Sequence, residues 1–459
     1  MNKISMSSLK NLPTLSSPMS HISCLKSSVS HLKTNVSYLT SHISYLATIT
    51  LCFLCLTVNA QQADSKFLKR LIKKNTEELG VAGQNPQEYE VQIVYTQIDR
   101  DEENRPFFTS HYFNVDESRY FYPASTVKMP AAAIALEKLN QLDIPGLDRN
   151  AIMLNGVGQA PQTPSLIDSS AENKLPSLAH FIKKVFIVSD NDANNRMYEF
   201  CGQNYLNEKL WQKGLTQSRI VHRIGITGFE TESNRHTNPV EFIADDRLLY
   251  HQPAQYSEIS IDEHNRKLSG LQKGKAYQND AGELIEQPFD FSMKNFLSLP
   301  DLSGILQRLI FPEHYPAEQR FDLSDDDYTY LYQCMSIFPG ESQYPSYQNK
   351  ADSYVKFFMY GDQEVDIPDH IRIFNKVGWA YGFLTDVAYI IDTKNKVEFM
   401  LSATIHANAN QTYNDNTYEE DEIALPFLAG LGRILYEHEL SRKRKATPDL
   451  TRFANLEYR

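Results

Sequence analysis

The spacing of apolar residues changes along this chain, and each change predicts a change of secondary structure. Over residues 63–78 apolar side chains recur every three to four positions, which predicts an amphipathic helix. Alternating apolar and polar residues then predict a strand over residues 89–98, and residues 107–113 and 120–122 are predicted to continue it as a meander.

Helical spacing dominates the middle of the chain, and strand patterns return only near its end. Residues 126 to about 346 are mainly helical in pattern, whereas two or three strands follow residue 371. A closing helix over residues 423–440 carries one apolar stripe, formed by Leu425, Leu428, Leu431 and Leu435. Strands at both ends around a helical middle predict an α+β fold, in which an antiparallel β-sheet is flanked by N- and C-terminal helices. An all-helical lobe, about residues 126–350, would be inserted into it.

A serine and a lysine lie one helical turn apart where the helical region begins, in Ser125-Thr-Val-Lys128. The spacing alone carries little weight, because four other places repeat it, Ser353–Lys356 among them. At Ser125 an extended segment ends and small residues from Ala131 favour a helix. Ser125 is therefore predicted at a helix N-terminus, with Lys128 on the same face as a possible base. Taken alone, the pair fits a helix-capping serine and a solvated lysine better than a catalytic pair.

A second polar motif, Ser189-Asp190-Asn191, follows an apolar helical stretch and precedes another helix. We expect a short link between two helices, from which the Ser189 hydroxyl and the Asn191 carboxamide point into one cleft. There the hydroxyl would shuttle protons and the carboxamide would hold a substrate amide. In isolation the motif also fits a polar helix cap, since Ser, Asp and Asn are favoured capping residues.

The third motif, Lys376-Val377-Gly378, lies in a segment that alternates like an edge strand. Gly378 would allow the backbone to approach a ligand closely, and Lys376 would anchor a negative charge on the substrate. The main-chain N–H of Trp379 could complete an oxyanion hole with that of Ser125. The alternative is a solvent-facing strand lysine. Three such motifs in this order, 64 positions from the first serine to the second, favour a serine acyl-transfer enzyme.

These motifs resemble the S-x-x-K, S-D-N and K-T-G motifs of the serine β-lactamase and penicillin-binding-protein superfamily, in its class A branch. The resemblance extends over roughly residues 64 to 440. It includes the run Ser189-Asp-Asn-Asp-Ala-Asn-Asn195, the step Thr237-Asn-Pro239 and the pair Thr385-Asp386. It implies a serine hydrolase with its active site in a cleft between a sheet lobe and a helical lobe.

Carried over to this chain, the resemblance implies that Ser125 is the acylated nucleophile and Lys128 its general base. Ser189 would relay protons to the leaving nitrogen, while Asn191 would hold the substrate amide. Lys376 would lower neighbouring pKa values and attract a substrate carboxylate. The resemblance implies no cofactor.

Two positions depart from the family pattern. Val377 stands where a hydroxyl residue usually binds the β-lactam carboxylate, so Lys376 would bind it alone or the physiological substrate lacks one. The family also carries a Glu-x-x-x-Asn pair that positions the deacylating water. Glu230-Thr-Glu-Ser-Asn234 has this spacing, although only two residues separate it from Thr237. We expect Glu230 to be the water-activating base, with Glu232 as a rival and a surface-loop glutamate as the alternative.

The first 60 residues contain four lysines and no acidic residue, and they end in an apolar run from Tyr45 to Ala60. This pattern predicts a signal peptide cleaved near Ala60, and hence a secreted, periplasmic protein. An uncleaved anchor is the alternative, although the run is too short for a comfortable membrane span. A heptad-like repeat over residues 20–46 is interpreted as a tandem repeat near a mis-assigned start.

Without residues 1–60 the chain retains 41 basic and 57 acidic residues, a net charge of −16. Such a surface disfavours nucleic acid and anionic lipid as partners. We expect a small β-lactam or peptidoglycan-like substrate, no stable membrane span and a monomer. No His/Cys cluster has metal-ligand spacing, so we expect no metal. Of the five cysteines only Cys201 and Cys334 follow residue 60, and the sequence leaves their pairing open.

Between Thr237 and Lys376 lie 138 residues, far more than the family core usually needs. We interpret about residues 250–350 as an insertion of helices and loops on the helical lobe. The whole of residues 61–459 would then form a single two-lobed catalytic domain. The insertion would cover the cleft or form a partner surface, and the sequence leaves both open.

Three functions compete. The leading hypothesis is a secreted class A-like β-lactamase that hydrolyses the β-lactam amide through an acyl-enzyme on Ser125. The alternative is a D-alanyl-D-alanine peptidase, or an esterase or amidase, acting on a cell-envelope substrate. A non-catalytic binding relative is the third. Glu230 separates the first two, because a penicilloyl ester persists where no base activates water.

Overall fold

Residues 63–458 are described by a computed structural model of the chain, so the predicted leader over residues 1–60 lies outside the described residues. The helices of this part are α1 Lys66–Lys74, α2 Gly80–Gln84, α3 Lys128–Gln141, α4 Leu178–Ile187, α5 Asn191–Gln212, α6 Thr231–Arg235, α7 Asp262–Lys267, α8 Leu299–Ile310, α9 Asp325–Ser336, α10 Leu425–Ser441 and α11 Thr451–Ala454. Its strands are β1 Gln92–Arg100, β2 Pro106–Phe113, β3 Ile152–Asn155, β4 Ser218–Arg219, β5 Val240–Ala244, β6 Arg247–Gln252, β7 Gln272–Lys273, β8 Ala276–Gln278, β9 Leu284–Ile285, β10 Phe289–Asp290, β11 Phe296–Leu297, β12 Ile371–Ala380, β13 Phe383–Asp392, β14 Val397–His406 and β15 Thr412–Tyr413. Short helical turns lie at Ala124–Val127, Pro312–His314, Ala317–Gln319, Pro339–Glu341, Asp352–Val355, Phe357–Tyr360 and Glu420–Ala424.

The central sheet is antiparallel and has five strands in the order β12-β13-β14-β1-β2. Strands from the end of the chain therefore pair with strands from its start, where β1 lies beside β14. This confirms the predicted α+β fold with a sheet built from both chain ends. The strand that carries the third motif, β12, is an edge strand, as its alternation predicted.

Both faces of the sheet are covered. On one face, α1 and α10 pack through Leu68 and the predicted leucine stripe of the closing helix, all of which is buried. On the other face, α8 packs against β1, β13 and β14. Because each face has a helical cover, all ten residues of β13 are buried, polar ones included. The sheet is thus a rigid base for the edge strand β12.

Helices α3, α4 and α5 pack against one another to form the core of the helical lobe. The alanine-rich start of α3 is buried, from Ala131 to Ala135, which lets the neighbouring helices approach it closely. Ser177 caps the start of α4, and Asp190 caps the start of α5. Because α4 ends at Ile187 and α5 begins at Asn191, only three residues separate these two helices. The second motif is therefore a tight link between helices, as predicted.

The predicted strand over residues 120–122 is wrong. These residues are extended and buried, but they pair with no neighbouring strand beyond an isolated bridge at Arg119. Tyr120 donates its hydroxyl hydrogen to the main-chain oxygen of Asn295 at 2.9 Å, and its ring stacks on Phe296. Their apolar character reflects burial beneath the later segment that contains Phe296, not strand pairing.

The segment predicted as an insertion has more than one role. Residues 250–297 form short strands and loops, with the single short helix α7 among the described residues there. In contrast, α8 covers the central sheet, and α9 packs between β12 and α4. Residues 299–336 therefore belong to the cores of both lobes and not only to the outside of the helical lobe.

Four features of the described residues concern the predicted domain, cysteines, membrane span and metal. All described residues belong to one compact unit. Cys201 and Cys334 are both buried and both free. Every helix within residues 63–458 is too short or too polar to cross a membrane. The same residues contain no group of three or more His, Cys, Asp or Glu side chains arranged to hold a metal ion.

Candidate active site

The three motifs meet in one cleft of about 380 Å³. The cleft lies where the edge strand β12 faces the start of α3 and the link between α4 and α5. Its lining includes Ser125, Ser189, Asn191, Val377 and Trp379, together with the aromatic side chains of Tyr122, Tyr354, Phe357 and Tyr381. The chain therefore folds so that residues far apart in sequence surround one small cleft, a third of whose lining residues are aromatic.

Ser125 lies in the 3₁₀ turn Ala124–Val127, which continues directly into α3. Ala124 has a left-handed backbone with φ of +46°, an uncommon conformation for a residue with a Cβ atom. The Thr126 hydroxyl donates to the Pro123 main-chain oxygen at 2.7 Å, which holds the turn from inside. Ser125 is half-buried and lines the cleft, so the predicted helix N-terminus is present and its hydroxyl group is available to a ligand.

Lys128 is fully buried one turn after Ser125, and its ammonium group is held by the second motif. Its Nζ donates to the main-chain oxygen of Ser189 at 2.5 Å, to Ser189 Oγ at 3.3 Å and to Asn191 Oδ1 at 2.6 Å. Burial lowers the pKa of Lys128 to about 7, although the nearby Asp190 carboxylate opposes this shift. A large fraction of Lys128 is therefore neutral at physiological pH and able to accept a proton.

Ser189 is the point at which the three motifs touch. Its backbone is left-handed, with φ of +58°, and the following Asp190 accepts the N–H of Ala193 at 2.8 Å to cap α5. The strained link turns the Ser189 hydroxyl between two lysines, because Oγ also accepts a hydrogen bond from Lys376 Nζ at 2.8 Å. A hydroxyl held between two amines can receive a proton from one side while it donates one on the other.

Lys376 is buried on β12 and faces the helical lobe. Besides Ser189 Oγ, its Nζ donates to the main-chain oxygen of Val377 at 2.9 Å. Burial is the largest cause that holds its pKa well below the usual value, and the positive charge of Lys128 adds to it. Asp386 acts in the opposite direction. Burial and the neighbouring charge of Lys128 thus both disfavour the protonated form of Lys376.

A buried polar network lies behind Lys376, and the sequence analysis missed it. Lys356 Nζ donates to Asn375 Oδ1 at 2.7 Å and to two main-chain oxygens, while Asn375 Nδ2 donates to Asp386 Oδ1 at 2.8 Å. Burial lowers the pKa of Lys356 to about 7 and raises that of Asp386 to about 6. Lys356 belongs to one of the chance Ser-x-x-Lys matches, so no local pattern distinguished it. The network fixes the strand position that presents Lys376.

Gly378 and Trp379 lie where β12 meets the turn that holds Ser125. A Cβ atom on Gly378 would collide with the main-chain oxygen of Pro123, so this glycine lets β12 lie against the turn that holds Ser125. Its close approach is therefore to protein backbone. Trp379 is 44% exposed, packs edge-on against Phe357 at 5.8 Å and forms part of the cleft wall.

Asn191 lies at the first position of α5, where its side chain binds Lys128 and reaches a loop that follows α5. The loop contributes Ile224 and Gly225 to the cleft. Gly225 has φ of +60°, and a Cβ atom there would collide with Nδ2 of Asn191. The Asn191 carboxamide is thus held between an amine on one side and a glycine on the other.

Glu230 is not brought into this cleft. It is exposed at the start of α6, where its main-chain N–H donates to Ser233 Oγ at 2.7 Å and its main-chain oxygen accepts from Asn234 Nδ2 at 3.0 Å. The Asn234 side chain is buried and also accepts the N–H of Arg223, so it holds the loop together. Glu230 instead lines a neighbouring cavity of about 910 Å³. The rival Glu232 lies on the surface near Arg235 and His236.

The lining of the Ser125 cleft contains no carboxylate among the described residues. The loop that follows α5 contributes Ile224 and Gly225 to this lining, and neither residue has a side chain that can activate a water molecule. The spacing of Glu230 and Asn234 therefore reflects how α6 starts, and it does not place an acid beside the serine.

Part of this chain matches the model of a known protein family. Residues 71–281 match the model of the β-lactamase enzyme family, a stretch that contains the first two motifs but not Lys376. A search of curated proteins found no match.

Among solved structures, the chain is similar to a β-lactamase from Sphaerobacter thermophilus, with 12% identity and a TM-score of 0.42, over 81% of this chain and 97% of that one. It is also similar to β-lactamases from Burkholderia vietnamiensis, with 12% identity and a TM-score of 0.42 over 83% and 99% of the two chains, and from Xanthomonas campestris, with 12% identity and a TM-score of 0.41 over 81% and 97%. Overlaps of this quality carry no argument about activity.

The family match covers a little less than half of the chain, and it coincides with the part that supplies Ser125, Lys128, Ser189 and Asn191. The remaining motif reaches the same cleft from β12 through the hydrogen bond between Lys376 and Ser189. Residues 71–281 are therefore similar to the β-lactamase enzyme family, and the cleft that they help to form also receives Lys376.

Proposed function

We propose that this protein is a serine hydrolase that forms an acyl ester on Ser125 with β-lactams or related amides. The observation that carries the proposal is the Ser189 hydroxyl, which lies between two desolvated lysines next to a half-buried serine at a helix N-terminus. Lys128 and Lys376 at this position have pKa values lowered by burial, as proton transfer near neutral pH requires.

In the proposed acylation, neutral Lys128 takes the proton of the Ser125 hydroxyl as its oxygen attacks the carbonyl carbon of the substrate. The main-chain N–H groups of Ser125 and Trp379 would stabilise the oxyanion. When the carbon–nitrogen bond breaks, Ser189 gives its proton to the leaving nitrogen and regains one from protonated Lys128. Lys376 orients the Ser189 hydroxyl, and Asn191 contributes to substrate binding. Gly378 contributes indirectly, because it lets β12 lie against the turn that holds Ser125.

Hydrolysis of the ester needs a water molecule and a base. The class A-like β-lactamase hypothesis assigns this base to Glu230, which lines the neighbouring cavity. The absence of a carboxylate from the described lining of the cleft favours slow deacylation. We therefore propose as a second candidate a peptidase- or esterase-like enzyme on a cell-envelope substrate, in which a penicilloyl ester on Ser125 persists.

The predicted leader supports a secreted, periplasmic site of action. The natural substrate in that compartment would be a β-lactam or a peptidoglycan-like amide. The proposal includes a single two-lobed catalytic domain over residues 61–459 and a monomer.

The test is intact-mass spectrometry of the purified protein, sampled over time after mixing with benzylpenicillin, with Ser125→Ala as the control. A transient adduct with accumulating penicilloate would support the β-lactamase. A persistent adduct on Ser125 would support the second candidate. No adduct, or an adduct that Ser125→Ala forms at the wild-type rate, would contradict acylation of Ser125.

A further inference from the structure

The cavity of about 910 Å³ beside the catalytic cleft is lined in part by the segment that the sequence identified as an insertion. One wall is the loop over residues 223–235, and the opposite wall contains residues 277–281 and 289–294. Tyr122, Gly225 and Tyr381 line both this cavity and the cleft of Ser125, so the two hollows are neighbours. Neither the motifs nor the proposed acylation uses this space.

Lys294 is the only lysine among the described residues that line the cavity. The residue is half-buried, and its Nζ lies 5.8 Å from the centre of the Phe289 ring. Its main chain bonds to Arg219 and Phe291, whereas its ammonium group makes no hydrogen bond or ion pair with another described residue. Burial lowers its pKa, although Asp280 opposes this shift. A partly desolvated cation with no partner in the protein is most readily satisfied by an anion in the cavity.

His222 lies near Lys294 and is not a second cation. Its Nδ1–H donates to the main-chain oxygen of Arg223, and burial lowers its pKa to about 3, so the ring is neutral. Its Nε2 is buried and has no partner among the described residues. The ring lies parallel to that of Tyr122, with 6.1 Å between ring centres, and this places the histidine between the cleft and Lys294.

Two carboxylates, Asp280 and Glu230, also line the cavity. Both side chains are exposed, so water and salt screen their charges. Lys294 is more buried than either acid, so solvent screens its charge less. The two exposed acids therefore oppose an anion near Lys294 less than buried carboxylates would.

The position of Asn191 indicates which side of the substrate would enter the cavity. In the proposed acylation its carboxamide holds the amide next to the reacting carbonyl, and Gly225 separates that carboxamide from the cavity. A group attached to the acyl side of the substrate therefore points past Gly225. The strand side lacks a hydroxyl at Val377, and Lys376 already binds Ser189 and its own strand.

We propose that this cavity receives an arm on the acyl part of the substrate and that Lys294 binds a carboxylate at the end of that arm. The inference rests on the proposed acylation of Ser125 and adds a substrate class to it. The preferred donors are amides whose acyl side chain is several carbons long and ends in an anionic group. Aromatic contacts with Tyr122, Phe289 and Tyr381 would hold the apolar part of the arm.

The experiment compares two donors on the same cephalosporin nucleus, one with an adipyl arm and one with its monomethyl ester. Second-order rate constants for acylation of Ser125 are measured by intact-mass spectrometry for the wild type, Lys294→Gln, Lys294→Arg and the exposed control Lys275→Gln. We expect the wild type to prefer the adipyl donor by about tenfold, as one charge-assisted hydrogen bond allows. Lys294→Gln should abolish this preference and change the rate with the ester less than about twofold. Lys294→Arg should retain part of the preference, and Lys275→Gln all of it.

Equal rates for both donors in the wild type would overturn the proposal, as would equal slowing of both donors by Lys294→Gln. A separate measurement keeps the subsite testable if Ser125 is not acylated at all. In Ser125→Ala, calorimetry should find tighter binding of the adipyl donor than of its ester, and Lys294→Gln should remove the difference. Equal binding of the two would reject the subsite, whereas absence of acylation together with Lys294-dependent binding would reject the proposed function alone.

Discussion

Lys376 donates a hydrogen bond of 2.8 Å to the hydroxyl of Ser189, although 186 residues lie between them in the sequence. This bond joins the edge strand of the sheet to the link between two helices of the other lobe. It closes the cleft around Ser125 and fixes the direction of the Ser189 hydroxyl. A hydroxyl oriented in this way is suited to proton transfer and not merely to capping a helix.

Removal of the Ser189 hydroxyl should therefore slow acylation without unfolding the protein. We expect Ser189→Ala to lower the second-order rate constant for acylation of Ser125 by about 10²–10⁴-fold, the usual contribution of a positioned acid–base group. Stopped-flow or intact-mass kinetics with benzylpenicillin would measure it. Ser260→Ala removes an exposed hydroxyl and serves as the control. Loss of the folded state in Ser189→Ala, or a rate within threefold of the wild type, would count against the role.

The pH dependence of acylation should follow the ionisation of Lys128. Burial lowers the pKa of Lys128 to about 7, and only its neutral amine accepts the proton of Ser125. The rate should thus rise about tenfold per pH unit below 7 and become constant above about pH 8. Rate constants measured from pH 5.5 to 9 would test this. A rate that falls as the pH rises through 7 would contradict Lys128 as the base.

The fold was largely predictable because its strands and helices carry strong periodic signals. Strands β12 to β14 are ten residues long, and the leucine stripe of α10 repeats along the whole helix. Residues 120–122 were misassigned because their apolar character has a distant cause. Tyr120 packs on Phe296, about 175 residues later, and no local pattern encodes such a contact.

The site was predictable to the extent that its residues lie in distinctive local contexts. Ser125 and Ser189 precede helices that are evident in the sequence, and Lys376 lies on an alternating strand. Glu230 was selected by spacing alone. A spacing of four residues puts two side chains on one helix face, but it does not determine whether that face points toward the cleft. Lys356 was beyond reach because its partners come from two separate segments, the end of α9 and the strand β12.

Substitution of Glu230 tests the deacylation step directly. Because Glu230 is exposed and outside the described lining of the cleft, Glu230→Gln should change the rate of loss of the penicilloyl ester by less than about twofold, within the range of a surface substitution. Glu232→Gln should behave in the same way and is the matched control. The half-life of the adduct measured by intact mass decides the matter. A long-lived adduct that appears only in Glu230→Gln would restore Glu230 as the water-activating base.

Gly225 should be sensitive to the smallest added side chain. A Cβ atom there collides with Nδ2 of Asn191, and the φ of +60° adds backbone strain. We expect Gly225→Ala to displace the Asn191 carboxamide and to reduce acylation at least about tenfold, with a stability loss of about 1 kcal/mol. Gly228→Ala controls for the strain, because Gly228 has φ of +82° but only a distant neighbour at 3.9 Å. Equal effects of the two substitutions on acylation would show that backbone strain, and not the contact with Asn191, is responsible.

The last prediction concerns the attachment of the inserted segment to the sheet. Glu90 precedes β1 and accepts hydrogen bonds from Lys273 of β7 at 2.7 and 2.9 Å, and it lies 3.3 Å from His406 Nδ1. Burial would raise the pKa of Glu90, but the bonds to His406 and Lys273 outweigh it and lower the value to about 2.

A carboxylate whose pKa is lower in the folded than in the unfolded state stabilises the fold at high pH and ceases to do so as it is protonated. The contribution of Glu90 should be complete above about pH 5. It should disappear as the pH falls from 4.5, the usual pKa of a glutamate, to about 2, the pKa of Glu90 in the fold. Glu90→Gln should therefore lower the free energy of unfolding by about 1–3 kcal/mol at pH 7, and the two proteins should become equally stable near pH 2. Urea unfolding at several pH values would measure the difference, with the exposed Glu286→Gln as the control. A difference that stays constant down to pH 2 would mean that the packing of the side chain, and not its charge, attaches the segment.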